Sequence, residues 1–355
     1  MQQFFKRQRQ QISTYLEAYR QKAGNDLGRV HAMGDESIEK LYRFALRGKM
    51  IRGGMVALSY LLLTGEQEEN LPQDVVAAGA AMELFQSAFL VHDDIMDRDL
   101  RRRGADTVFY EYVREAEKEG IADAYHTGES LGICSGDIAF FLAFEMLSGL
   151  QSEQSSEVIS LCSRELSYVG VAQMLDVYWG QKADAVTPAE VLDLYTYKTG
   201  RYTFSLPLLC GAMLAGASGE NRDLLERIGE LLGVVFQLKD DELGIFAEAD
   251  TLGKEVGSDI TEGKKTPFHT LLMERAGEEE QENLRTIFGS SELSTESLQY
   301  VRDAIERHGV RESVNKMCSS YAEQARTLIE SLAGVAEEYR THFYQLLDYS
   351  LTRSY

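Results

Sequence analysis

The stretch from Pro72 to Asp97 constrains this chain most. After the helix-opening proline come Ala77, Ala80, Ala81, Leu84, Phe85, Ala88 and Phe89. Wound as a helix over about 73–98, small and large apolar side chains cover nearly its whole circumference. A helix of that kind belongs at the centre of other helices. It nevertheless ends in charge, as Phe89-Leu-Val-His92-Asp93-Asp94-Ile-Met-Asp97 followed by Arg101-Arg102-Arg103-Gly104. Helix positions i and i+4 share a face, so Asp93 and Asp97 point the same way with Asp94 beside them.

A second cluster has the same form. It reads Val235-Phe236-Gln237-Leu-Lys239-Asp240-Asp241-Glu242-Leu-Gly244, near the end of a helix predicted over 221–247. Packed carboxylates repel one another unless a cation neutralises them. Oxygen donors with no grouped His or Cys suit magnesium, which takes one or two carboxylates plus substrate phosphates. The predicted metal ligands are Asp93, Asp94, Asp97, Asp240 and Asp241. Either cluster alone would be an ordinary solvated helix end; two of them, each closing an apolar run, point to a diphosphate site.

The remaining sequence predicts more helix: 36–47, 53–64, 129–150, 155–179, 188–216, 221–247, 278–288, 295–308, 311–332 and 334–351, with a restart at Pro267. Thr187-Pro188 gives an N-cap and first-turn signal, and Pro207 predicts a kink. Residues 104–127 read as an arm or loop with one short helix. No useful strand alternation, repeat or low-complexity linker interrupts the pattern. The expected fold class is all-α: one helical bundle over 1–355 with a central apolar cavity.

The net charge of −21 argues against a nucleic-acid partner. The four cysteines are scattered without CxxC spacing, which favours a reducing compartment, the cytoplasm. The polar N-terminus lacks a signal core, no stretch reads as a membrane span, and no basic amphipathic anchor is evident.

An acidic protein that binds anions needs local basic islands. Gly48-Lys49-Met-Ile-Arg52 is one: the glycine permits a tight turn, and Lys49 and Arg52 project together. Arg102 and Arg103 are another, and Lys198-Thr199 and Lys254 add donors. Singly, each is an ordinary surface charge. Carboxylates at one end of an apolar, aromatic-lined cavity suggest loss of diphosphate to leave a carbocation. Phe89 and Phe236 could steady it through their ring faces, and a dry cavity would protect it.

With these residues in order, the sequence resembles the trans-isoprenyl diphosphate (polyprenyl) synthases over roughly 40–270. Gly48-Lys49-x-x-Arg52 resembles the isopentenyl-diphosphate site, and Gln86 stands where the family contacts that substrate. Asp93-Asp94-x-x-Asp97 with Arg102-Arg103 resembles the first aspartate-rich motif. The resemblance assigns Arg102 to the allylic diphosphate and Arg103 to the isopentenyl one. Gln173-x-x-Asp176, Lys198-Thr199 and Phe236-Gln237-x-x-Asp240-Asp241 with Lys254 complete the set. It implies head-to-tail condensation of isopentenyl diphosphate with an allylic diphosphate, with Asp93, Asp97, Lys198 and Asp240 in catalysis and Lys49, Arg52, Gln86, Arg102, Arg103, Lys198, Thr199, Gln237 and Lys254 on substrate. It further implies up to three Mg2+ ions and a homodimer. Two departures stand out: Gly244 replaces the usual third aspartate, and the Gly48 turn lacks the common second glycine and trailing proline.

Product length should follow from the side chains one helix turn below Asp93, since a turn rises about 5.4 Å. These are Ala88 and Phe89, with Phe85 deeper. In the family the chain resembles, two aromatics at these positions go with C15 makers and two small residues with long-chain makers, so with one aromatic beside Ala88 the resemblance implies geranylgeranyl diphosphate (C20), with C15 and C25 as alternatives. A terpene cyclase would not need the second anion site of Lys49, Arg52 and Arg103. A helical phosphohydrolase built on His92-Asp93 would need further grouped histidines. A non-catalytic partner subunit should have lost its aspartates or basic turn, and only Gly244 points that way.

Overall fold

The structure, a computed structural model, describes residues 1–181, 186–247, 256–290 and 292–353. They form two compact units, Met1–Ser160 with Leu209–Ala217, and Leu161–Leu208 with Ser218–Tyr355. Both are built from helices, as the all-α reading expects.

In the first unit, α1 (Gln2–Gly28), α2 (Ala32–Leu46) and α3 (Ile51–Thr64) pack with α4 (Gln73–Met96). Sequence reading missed α1. Phe4, Gln8, Ile12 and Leu16 are all buried at i+4 spacing, but Gln8 breaks the apolar stripe that would have announced it. As its composition predicts, α4 is buried on nearly all sides; Val75, Ala78, Met82, Phe85, Ala88 and Val91 are almost wholly inaccessible. The segment 104–127 is more ordered than expected. β1 (Arg101–Arg102) and β2 (Ala105–Asp106) form a minimal antiparallel hairpin, followed by α5 (Val108–Lys118). Its two-residue turn has φ +53° at Arg103 and +75° at Gly104, the left-handed geometry that matches strand twist. Then α6 (Ala124–Ser148) begins five residues before the expected 129, because the Asp123 side chain caps it by accepting from His126 N–H.

The helix α7 (Ser155–Gln181) leads into the second unit, where α8 (Pro188–Tyr195) starts with a full capping box between Thr187 and Glu190. The kink expected at Pro207 is spread over ten residues. A π-helix occupies Thr196–Ser205 before α9 (Leu206–Leu214) resumes. Pro207 has no N–H to give and its ring crowds the preceding turn, so the wider winding absorbs the break upstream. The long α10 (Gly219–Phe246) packs along the π-helix, and α11 (Ser258–Thr261), α12 (Pro267–Arg275), α13 (Glu278–Ile287), α14 (Thr295–Arg307), α15 (Val310–Ser331) and α16 (Glu337–Thr352) follow.

Among the described residues two helices, α4 and α6, are long and apolar enough to cross a membrane, which departs from the expectation that no stretch would qualify. The apolar window of α4 is 72% buried inside the protein, as befits a core helix.

Candidate active site

Each unit carries one acidic cluster with its own basic partners. In the first, α4 delivers Asp93 and Asp94 in its last turn, and Asp97 caps it. Asp94 is completely buried. Arg102 Nε donates to Asp94 Oδ1, and Arg102 Nη2 reaches Asp99 at 3.1 Å and Asp93 at 3.7 Å. Asp94 Oδ2 is buried and has no hydrogen-bond partner among the described residues. Burial pushes the Asp94 carboxyl up to about 7, and Arg102 pulls in the other direction.

The next arginine turns elsewhere. Arg103 stands in the hairpin turn, past the end of β1, with left-handed backbone, and reaches back to the Gly48 turn. Its Nη1 lies 3.4 Å from the Phe44 carbonyl oxygen, and its guanidinium sits 5.6 Å from the Phe44 ring centroid. A methyl on Gly48 would stand only 3.0 Å from Arg103 Nη1, so the glycine makes room for the arginine. In the same turn Met50 is left-handed (φ +53°) and buried, Lys49 is exposed, and Arg52 falls in the first turn of α3. Beneath them lies Glu83 of α4, a residue that the sequence reading missed. Its Oε1 accepts the Gly53 N–H at 2.9 Å. Burial raises its carboxyl, against the pull of the Gly53 N–H, Arg52 and Arg103. One buried carboxyl therefore accepts from the start of α3, with the charges of Arg52 and Arg103 near it. A Glu inside an otherwise apolar helix was the signal available. Gln86 lies half-buried three residues on, so along the same face.

Below the aspartates, Phe85 and Ala88 are fully buried and Phe89 is half-buried. They meet aromatics of α6: Phe140 stands 4.9 Å edge-on from Phe89 and 6.2 Å from Phe85, and Phe144 stands 5.0 Å from Phe85. Phe140 and Phe144 were not among the expected pocket residues; periodicity within α6 cannot tell which helix its face meets. His92 packs in the space left by Gly136 and hydrogen-bonds the Ile133 carbonyl at 3.1 Å.

In the second unit the π-helix, α7 and α10 meet. Lys198 Nζ donates to Asp176 Oδ2. Thr199 Oγ1 donates to Gln237 Oε1 at 3.1 Å, and Gln237 Nε2 donates to Asp241 Oδ1 at 3.0 Å. Tyr195 Oη donates to Asp241 Oδ2 at 2.5 Å. Sequence reading missed Tyr195. Asp241 is buried, and burial drives its carboxyl well up, with Asp259 and Asp240 adding to the effect. Asp240 is more open: Arg353 Nη2 pairs with it at 2.8 Å while the Arg353 guanidinium lies 3.7 Å over Phe236. Glu242 is held by Lys239 at 2.6 Å and Arg311 at 2.8 Å, and burial notwithstanding, those cations keep its carboxyl below the usual range. The backbones of the π-helix and α10 touch at Gly200 and Gly233, where a Cβ on Gly233 would lie 2.1 Å from Gly200 Cα. Lys254 lies outside the described residues.

Among the described residues no three Asp, Glu, His or Cys side chains converge closely enough to hold a metal by themselves. The donors fit magnesium in its commoner mode, with few carboxylates and the remaining positions filled by water and phosphate. The buried oxygen of Asp94 without a partner is consistent with that use.

The polyprenyl synthetase family model matches residues 35–305. The chain is 32% identical over 323 residues to geranylgeranyl diphosphate synthase of Sulfolobus acidocaldarius, covering 88% of this chain and 89% of that one. It is 30% identical to geranylgeranyl diphosphate synthase of Methanosarcina mazei, covering 89% and 91%. A crystal structure of geranylgeranyl pyrophosphate synthase from Corynebacterium glutamicum, complexed with isoprenyl diphosphate and magnesium, superposes with a TM-score of 0.89 at 28% identity, covering 100% and 99%. Family model, full-length relatives and fold agree, and the chain belongs to the polyprenyl synthetase family.

Proposed function

We propose that this chain condenses isopentenyl diphosphate head-to-tail with an allylic diphosphate, and that its main product is geranylgeranyl diphosphate (C20). The observation that carries the reading is the division of labour at the hairpin. Arg102 turns to the aspartates and Arg103 turns to the Gly48–Arg52 basic turn. Adjacent residues thus serve two neighbouring anion subsites, as a reaction between two diphosphates needs and a terpene cyclase does not.

In this reading Asp93, Asp94, Asp97, Asp240 and Asp241 hold up to three magnesium ions, which when bound would draw charge from the leaving diphosphate. Arg102, Lys198 and Lys254 bind the allylic diphosphate; Lys49, Arg52, Gln86 and Arg103 bind the isopentenyl one. Thr199 and Gln237 position Asp241 through their hydrogen-bond chain. The allylic carbon–oxygen bond breaks, the double bond of isopentenyl diphosphate attacks the cation, and the proton lost goes to the departed diphosphate. The protein contributes position and fixed charge rather than a nucleophile. The growing chain runs along α4 to a floor formed by Phe89 and Phe85, closed from α6 by Phe140. The relatives named geranylgeranyl diphosphate synthase support C20. A 27% identical geranylfarnesyl diphosphate synthase of Aeropyrum pernix keeps C25 as the second reading.

We further propose that the chain works as a homodimer in the cytoplasm. Apolar side chains stand exposed on α6 of the first unit (Ile133, Phe141) and, separately, at helical spacing on α7 in the second (Val171, Met174, Leu175, Tyr178), each as a face covered by a second copy would. All four cysteines are free, in keeping with a reducing compartment. The test is substrate omission. The reading expects no turnover of geranyl or farnesyl diphosphate alone and rapid consumption when isopentenyl diphosphate is added; hydrocarbon from the allylic substrate alone would indicate a cyclase.

A further inference from the structure

The two acidic clusters share their spacing except at the last position. The first has Asp93, Asp94 and Asp97; the second has Asp240, Asp241 and Gly244. A side chain at 244 would stand one helix turn from Asp240 on the same face. The glycine supplies none, although α10 continues unbroken to Phe246.

That space is filled from another element. The Gly257 N–H donates to the Gly244 carbonyl at 2.9 Å. Gly257 itself is left-handed, with φ +87°, and starts α11 at that point. This backbone tie sets the short helix against the end of α10. A Cβ built on Gly244 would lie 3.3 Å from Asp259 Oδ2, the one contact within 4 Å among the described residues outside its own helix backbone. The Asp259 carboxylate therefore sits against the position from which a side chain at 244 would project. Lys264 lies 3.8 Å from Asp259 Oδ1 and 2.5 Å from Glu262, so Asp259 is only loosely paired on that side.

We infer that Asp259 supplies the third carboxylate of the second acidic site, and that Gly244 is small so that Asp259 can enter. The inference rests on the proposed role of Asp240 and Asp241 as carboxylates for magnesium diphosphate. It has a reciprocal consequence. An aspartate at 244 is unwelcome while Asp259 is present, because two like charges would compete for one space, and useful once Asp259 is gone.

The experiment is a calorimetric titration of the full chain with Mg2+ at saturating inorganic diphosphate, with thermal melts of each variant as a check on folding. Asp259→Asn should weaken magnesium binding about ten-fold, as loss of a supporting ligand commonly does. Gly244→Asp alone should bring no gain. Gly244→Asp combined with Asp259→Ala should bind within about three-fold of the parent, the reciprocal rescue that a mere structural role for the Lys264 pair would not produce. Binding by Asp259→Asn equal to the parent, with Asp240→Ala impaired, would overturn this inference and leave the parent reading intact. A double variant no tighter than Asp259→Asn would also overturn it. Absence of magnesium-dependent diphosphate binding in the parent chain would overturn both.

Discussion

Phe89 is the best single side chain on which to test the product-length account. It is half-buried, whereas Phe85 is wholly enclosed, so truncating Phe85 would cost about 3–5 kcal/mol in the core and blur the result. Phe89→Ala should lengthen the main product by one isoprene unit, since the floor drops by about one turn. Phe140→Ala should do the same, because its ring closes the same space edge-on at 4.9 Å. Chromatographic sizing of the products checks both, and an unchanged C20 product in both would place the floor elsewhere. A second prediction concerns His269, whose ring packs edge-on against Phe288 at 4.6 Å, with Nδ1 buried and without a hydrogen-bond partner among the described residues. Burial, with Lys265 nearby, depresses its pKa to about 3, below the ordinary 6.5. The unfolded chain therefore takes up this proton first, and the stability contributed by neutral His269 is present above pH 6.5 and lost as pH falls toward 3. Discounted for partial exposure, about 1–2 kcal/mol should go between pH 6.5 and 4, and His269→Leu should flatten that limb in urea melts. Residues of this sort differ in how far the sequence reveals them. Asp93, Asp94, Arg102 and Lys198 are legible only as a set, since singly each reads as an ordinary surface charge and the motifs gain meaning from their order. Glu83, Tyr195 and Phe140 do not, since their roles depend on which neighbour the fold brings near.

The π-helix Thr196–Ser205 holds Lys198 and Thr199 in place, and its own anchor is Arg201. The guanidinium donates to Glu165 at 2.8 and 2.9 Å and to Glu230 at 2.6 Å. Glu165 is 1% exposed, and its other cation, Arg164 at 3.3 Å, is itself 55% exposed and the weaker partner. Arg201→Ala should therefore destabilise the protein by about 3–5 kcal/mol, as expected when one member of a buried ion pair is removed. Replacing both Arg201 and Glu165 by apolar residues of similar size should recover much of that loss. Urea denaturation measures both, and a mild loss in the single variant would show that the network is dispensable. The sequence foretold a break in this helix from Pro207, since a missing N–H is visible in any sequence. It could not foretell how the break would be absorbed, nor that the π-helix would meet α10 where Gly200 lies against Gly233, thirty-three residues away. The caps at Thr187 and Asp123 show the same limit: the first was legible as Thr-Pro, while the second turned on a side-chain hydrogen bond to His126 N–H.

The acidic chain with local basic islands reads from sequence as a binder of small anions, and its family membership agrees. Assembly is less legible, because an apolar helix face looks the same whether a neighbouring helix or a second copy covers it. Phe141 and Met174 are each 72% exposed, an unusual cost for a monomer. Phe141→Glu and Met174→Glu should each shift the protein from dimer toward monomer in sedimentation velocity, with the helical circular dichroism retained; parent protein that sediments as a monomer would refute the dimer. The most direct measurement remains the reaction itself. Pure protein is incubated with isopentenyl diphosphate, Mg2+ and dimethylallyl, geranyl or farnesyl diphosphate, and the products are sized by chromatography. The account predicts a dominant C20 product that needs both substrates and Mg2+ and falls by at least about a hundred-fold in Asp93→Ala, which removes a carboxylate at the leaving group. Folded protein that condenses no starter, or an Asp93→Ala variant as active as its parent, would contradict it.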